Sequence, residues 1–217
     1  MNRRMKQKNT SLTAQLLTLA VFFIFTACSD STTGSGDTDP ELETNQITDL
    51  NARGEDGHFT FFSLRNGNTV ALSDSASANW DLAFKGTTIL VNSGVSGPGE
   101  GGAILLDLPF EEVEMAPSEG YRTDSAEELA IPAGAGNGWY SYDFATHTIA
   151  PIEDKTIVIR TGDGKHYAKV EIGHYYLGSP DMSSDEFMNN PELRESGYYT
   201  FRYTIQLEES VRDLTKN

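Results

Sequence analysis

The chain has 217 residues, which suits one large domain or two small ones, and its 38% hydrophobic and 10% aromatic content is enough for a packed core. It carries 32 Asp and Glu against 16 Lys and Arg, a formal net charge of -16. Such a surface repels nucleic-acid phosphates, which Lys and Arg must neutralise, and one cysteine excludes an intrachain disulfide and a cysteine-rich zinc site.

The N-terminus reads as a leader. Arg3, Arg4, Lys6 and Lys8 precede a mostly apolar stretch from Leu12 to Phe25, short for a membrane span and right for a signal-peptide core. Phe25-Thr26-Ala27-Cys28 then resembles a bacterial lipobox, in which the cysteine is acylated and becomes the first mature residue. Residues 1–27 are therefore expected to be removed, and Cys28 to carry acyl chains, which anchor stably when there are two or more. The leader holds four basic and no acidic residues, so residues 28–217 keep 12 basic and 32 acidic residues and a formal charge of -20. Residues 28–52, rich in Ser, Thr, Asp and Gly, are expected to form a disordered polar and acidic tether.

From His58 onward the apolar period is two, the mark of strands. Strands are predicted at His58–Leu64, Thr69–Ser73, Trp80–Phe84, Thr87–Asn92 and Ala103–Leu108. The series continues with Trp139–Phe144, His147–Ile152, Thr156–Thr161, His166–Tyr176 and Tyr198–Leu207. Asn66-Gly67-Asn68 and Asp163-Gly164 suit tight turns, because Asn, Asp and Gly tolerate positive φ. In the last strand Tyr199, Phe201, Tyr203, Ile205 and Leu207 share one face. Ser183-Ser184-Asp185-Glu186 predicts the cap of a short helix that Pro191 stops. The expected fold is a single all-β, mostly antiparallel domain over residues 53–210, with a C-terminal tail at 211–217.

Enzyme motifs are missing: there is no Gly-x-Ser-x-Gly elbow and no His-Glu-x-x-His. Gly97-Pro98-Gly99-Glu100-Gly101-Gly102 has the spacing of a dinucleotide loop, but a β-like run follows where a helix would have to meet the pyrophosphate. A glycine loop needing close backbone approach is the better reading. His166 and His174 stand eight residues apart in one strand, about 26 Å at about 3.3 Å per residue, too far to share a metal. His147 follows Trp139, Tyr140, Tyr142 and Phe144. It reads either as a turn histidine at a core edge or as an axial ligand or stacking partner for a planar aromatic ligand. Met115, Met182 and Met188 are gap-fillers or thioether ligands by their chemistry.

Several segments, in this order, resemble the HmuY family of haem-binding bacterial lipoproteins. They are Asn79–Phe84, Val91–Ala103, Glu119-Gly120-Tyr121, Gly138-Trp139-Tyr140, Val158–Val170 and Tyr198–Tyr203. The resemblance implies an all-β fold, an acyl anchor, and haem held between two His or Met side chains near protruding loops. It places those ligands between the Gly-Tyr and Gly-Trp motifs and just beyond the Trp. Residues 121–138 contain neither His nor Met, and beyond the Trp the candidate is His147. That leaves three alternatives: a five-coordinate haem on His147, a His147–Met115 axial pair, or no haem, with iron bound only through haem. Trp139 and Tyr142 are expected as pocket wall, and Arg122 as the propionate partner, with Lys85 and Arg160 as alternatives.

The resulting expectation is a non-enzymatic lipoprotein at the outer membrane, exposed at the cell surface. It would bind haem or a related tetrapyrrole and pass it to a TonB-dependent uptake receptor. The alternative is a lipoprotein of the same fold that binds another ligand or a protein partner without haem. An anchored hydrolase lacks any visible nucleophile–base pair. The leader reading predicts that Cys28→Ser leaves the protein unanchored or with its signal uncleaved. Membrane fractionation with mass analysis of the N-terminus checks this; a processed, membrane-bound mutant would contradict it.

Overall fold

The computed structural model describes residues 42–215. The leader and Cys28 lie outside the described residues. Among the described residues there are eleven strands: β1 (Leu42–Asn51), β2 (Thr60–Ser63), β3 (Asn68–Val70), β4 (Leu82–Lys85), β5 (Thr88–Val91), β6 (Gly102–Asp107), β7 (Tyr140–Asp143), β8 (Thr148–Pro151), β9 (Lys155–Arg160), β10 (Tyr167–Tyr176) and β11 (Ser196–Gln206). One short helix, α1 (Asp185–Asn189), is capped by the Ser184 hydroxyl, which accepts from Phe187 N–H. A five-stranded sheet runs β1-β11-β10-β9-β6, a four-stranded sheet runs β3-β2-β4-β5, and β7 and β8 form a separate hairpin. Every strand pairing is antiparallel, as the alternating pattern predicts.

The alternation of β11 decides the faces. Tyr199, Phe201, Tyr203 and Ile205 are buried and point at the four-stranded sheet, joined by Ile157 and Ile159 of β9 and by Ala168 and Val170 of β10. From the other side come Phe62, Leu82, Phe84, Ile89 and Val91. Phe201 stacks on Phe84 at 5.6 Å and meets the edge of Phe62 at 5.5 Å. Val158 and Lys169 turn to the opposite face of the large sheet, where a second cluster of Val113, Ala116 and Leu214 covers it. Lys169 is 5% exposed, and its ammonium donates to the carbonyls of Phe110 and Val113. Desolvation pulls its pKa below the usual lysine range.

Buried polar groups join the two sheets. Asp81, 1% exposed, accepts Leu64 N–H at 2.7 Å and Gly162 N–H at 2.8 Å, one from each sheet's connections. Asn92 donates to the carbonyls of Ser77 and Trp80 and accepts Gly99 N–H. The glycine loop therefore lies flat on this hub. A Cβ at Gly97 would stand 2.2 Å from Asn92 Oδ1, and one at Gly99 2.5 Å from the Gly162 carbonyl. Close backbone approach explains these glycines.

Two expected boundaries change. The tether of 28–52 is a strand over Leu42–Asn51: β1 pairs with β11 along its length, and Thr44 and Thr204 share a hydroxyl hydrogen bond at 2.8 Å. Residues 28–41 lie outside the described residues. The tail of 211–217 is packed as far as Thr215. Leu214 N–H donates to the Glu114 carbonyl, Ala116 N–H donates to the Arg212 carbonyl, and the Leu214 side chain is 1% exposed.

Removing the Asp81 carboxylate strands two buried N–H donors. Asp81→Ala should cost about 2–5 kcal/mol in denaturant unfolding. Burial raises the Asp81 pKa despite the two donors. The folded state thus holds the proton to higher pH than the unfolded chain, and this carboxyl's contribution falls as pH rises from the unfolded value through the folded one. The stability gap between wild type and Asp81→Ala should therefore be widest in acid and narrow towards neutrality; a gap that widens with pH would contradict it.

Candidate functional site

The β7–β8 hairpin pairs Tyr140 with Pro151, Ser141 with Ala150, Tyr142 with Ile149 and Asp143 with Thr148. Its base is fixed in the core. Trp139, 2% exposed, donates its indole N–H to the Thr87 carbonyl, and Ile149 N–H donates to the Tyr176 hydroxyl oxygen. Its tip is Phe144-Ala145-Thr146-His147. The Asp143 carboxylate accepts Ala145 N–H at 2.7 Å, and this bond with that from Thr146 N–H holds its pKa below the usual carboxylate range. The chain closes the turn with His147 at φ 57, a left-handed geometry that histidine tolerates better than most residues.

His147 is exposed, and its Nδ1 lies 2.8 Å from the Tyr142 hydroxyl. That bond orients the imidazole and leaves Nε2 as the outward nitrogen. Phe144, 82% exposed, meets the edge of Tyr142 at 5.0 Å. An oriented imidazole beside an uncovered aromatic ring is the arrangement that suits a flat, apolar, metal-bearing ligand.

The tip is tied sideways to the segment after β10. Arg194 donates through Nη1 to the Thr146 carbonyl at 3.1 Å, through Nε to the Phe187 carbonyl at 3.1 Å, and through Nη2 to the Met188 carbonyl. Its guanidinium also lies 5.4 Å from the centre of the Phe187 ring. Phe187 is fully buried against Tyr176. Nothing in the sequence marks Arg194, because its partners are backbone carbonyls of separate segments.

The other expected site residues are dispersed. Trp139 is a core residue rather than a pocket wall: its ring lies among Tyr140, Tyr175 and Tyr199. Met115 is 57% exposed and bridged to Asp213, on the face of the large sheet covered by Val113 and Leu214. The hairpin packs on the opposite face through Ile149. With the sheet between them, Met115 and His147 cannot share one iron. Arg122 pairs with Glu128 at 2.5 Å in an open cleft of about 790 Å³ lined also by Ser125, Glu127, Leu129 and Asn137. The cleft adjoins the base of the hairpin, where Gly136 N–H donates to the Tyr140 carbonyl. His147 is at the other end, a strand length of about 10 Å away. Lys85 reaches Gly57, and Arg160 reaches Glu100. Among the described residues no group of three or more His, Cys, Asp or Glu is placed to hold a bare metal ion.

The cleft beside Arg122 lacks any nitrogen or sulfur ligand for haem iron, and Glu127 and Glu128 oppose propionates. The hairpin tip presents one exposed imidazole with its orienting partner. If Arg194 fixes the tip, Arg194→Ala should speed amide hydrogen exchange at Ala145–His147 and cost about 1–3 kcal/mol. Unchanged exchange there would show that the turn holds itself.

The comparisons with known proteins agree with the fold. The family described as HmuY protein matches residues 55–203. A crystal structure of an apo HmuY analogue from Tannerella forsythia superposes with a TM-score of 0.50 and 18% identity, covering 79% of this chain and 100% of that one. No curated protein matches. A family match over well more than half of the sequence settles the assignment: the chain belongs to the HmuY family.

Proposed function

We propose that this HmuY-family protein is a non-enzymatic binding protein for haem or a related tetrapyrrole, engaged through the imidazole of His147. The carrying observation is the hairpin tip: an exposed His147 oriented through Nδ1 by Tyr142, beside an exposed Phe144. Haem, when bound, would supply an iron that accepts an imidazole nitrogen. Tyr142 would fix the ring plane of the imidazole, Nε2 of His147 would hold the iron, and Phe144 would cover apolar ligand edge that otherwise faces water. The lipobox-like stretch ending at Cys28 supports an acyl anchor, and the haem-carrier reading adds an outer-membrane position at the cell surface. An anchored carrier with an exposed site can hand its ligand to a TonB-dependent receptor without releasing it into solution.

A second reading is a ligand other than haem, held in the cleft between Arg122 and Asn137. The observation that favours it is the polar, histidine-free and methionine-free lining. Haemin titration separates the two. The first reading predicts a saturable Soret shift at micromolar haemin in the full chain, weakened strongly in His147→Ala with an unchanged melting curve. A wild-type chain with no saturable change would end the haem reading and leave the cleft. Saturable binding retained in full by His147→Ala would move the site off the hairpin.

A further inference from the structure

The face of the large sheet turned away from the hairpin carries a cleft of its own, about 340 Å³ in volume and bordered by Phe110, Lys169, Arg202, Thr204 and Leu214. We infer that this cleft binds a small monocarboxylate with a short apolar body, its carboxylate held by the Lys169 ammonium and by Nη2 of Arg202. The site lies apart from the hairpin and does not rest on the haem reading.

Strand register builds the floor. Lys169 of β10 stands opposite Thr204 of β11, and Thr204 stands opposite Thr44 of β1. Directly opposed residues share a face, so these three form one row across the sheet. Glu171, Arg202 and Gln46 form another row on the same face, two positions along. Phe110, in the segment after β6, and Leu214, in the segment after β11, add apolar lining.

Lys169 carries the inference. It is 5% exposed, and its ammonium donates to the carbonyls of Phe110 and Val113 at 3.0 and 2.9 Å. The Phe110 ring centre lies 4.6 Å from Nζ. Among the described residues no carboxylate stands within ion-pair distance of it. Buried charges are ordinarily paired, whereas this one is met at close range by neutral groups. An ammonium has three N–H donors, so one remains for a carboxylate that enters the cleft and brings the counter-charge.

Arg202 adds donors beside it. Its Nε is bonded by Glu171 at 2.5 Å and its Nη1 by Glu111 at 2.7 Å, while Nη2 has no acceptor among the described residues. The guanidinium lies 4.4 Å from the centre of the Phe110 ring. Glu111 and Glu171 already place two negative charges here, which disfavours a dianion such as phosphate. Burial lowers the Lys169 pKa, and the charges that act on it are Glu111, Arg202 and Glu114. A bound carboxylate should raise that pKa again, because it favours the charged form.

The test is titration of the full chain, in a neutral detergent, with sodium butyrate, followed by nitrogen-15 and proton shifts. Sodium chloride and phosphate at equal ionic strength are the comparison arms. Butyrate should give a saturable shift of the Lys169 ammonium and of the Thr204 and Leu214 amides, at one per chain, and a raised Lys169 pKa. Lys169→Met should weaken binding about tenfold or more, the loss expected with one charge-assisted hydrogen bond. Thr44→Phe keeps the lysine and narrows the cleft from the edge strand, so it should weaken binding even if Lys169→Met fails to fold. Melting curves verify both variants. No saturable shift with butyrate, an equal response to chloride, a stronger response to phosphate, or binding retained in full by Thr44→Phe would each overturn the inference.

Discussion

The two sheets are held in register by a carboxylate and an amide that have no access to water. Asp81 takes one N–H from the connection after β2 and one from the connection after β9, and Asn92 takes the glycine loop. In a low-dielectric interior such bonds are strong when complete and costly when broken, so the hub admits one arrangement of the sheets. The aromatic core of Phe62, Phe84, Phe201 and Tyr203 then fills the space that arrangement leaves. Hydrophobic burial provides most of the driving force, and the polar hub decides which face meets which.

The candidate site depends on this frame at one remove. Trp139, bonded to Thr87, fixes the root of the hairpin, and Tyr176 fixes its second strand. The tip stands beyond the core, where little apolar packing constrains it, so its shape comes from hydrogen bonds: Asp143 to the turn, Tyr142 to His147, Arg194 to the neighbouring segment. A site held in this way can be both ordered and exposed. That combination suits the ligand-binding role proposed for His147.

Much of the fold was legible because side-chain alternation reports burial directly. Ten of the eleven strands follow from it, and β11 reads almost residue by residue. The missed strand, β1, has few apolar residues: Leu42, Ile47 and Leu50 among polar ones. It is an edge strand fixed by backbone pairing to β11, which composition does not report. The tail was missed for a similar reason, since a single Leu214 carries its packing. At the site, His147 was visible as a histidine in an aromatic hairpin. Trp139 was misplaced because the pattern says that an aromatic is buried somewhere, not whether it lines a pocket or fills a core. Met115 is a plausible partner for His147 in one dimension; only the position of the large sheet shows that it is cut off from the hairpin.

The central claim is that ligand binding happens at the hairpin tip, not in the cleft beside Arg122. Hydrogen exchange of the full chain with and without haemin tests it most directly. The account predicts slowed exchange centred on Tyr142–Thr148, with residues 121–138 unchanged. Protection centred on residues 121–138, with the hairpin tip unaffected, would contradict it.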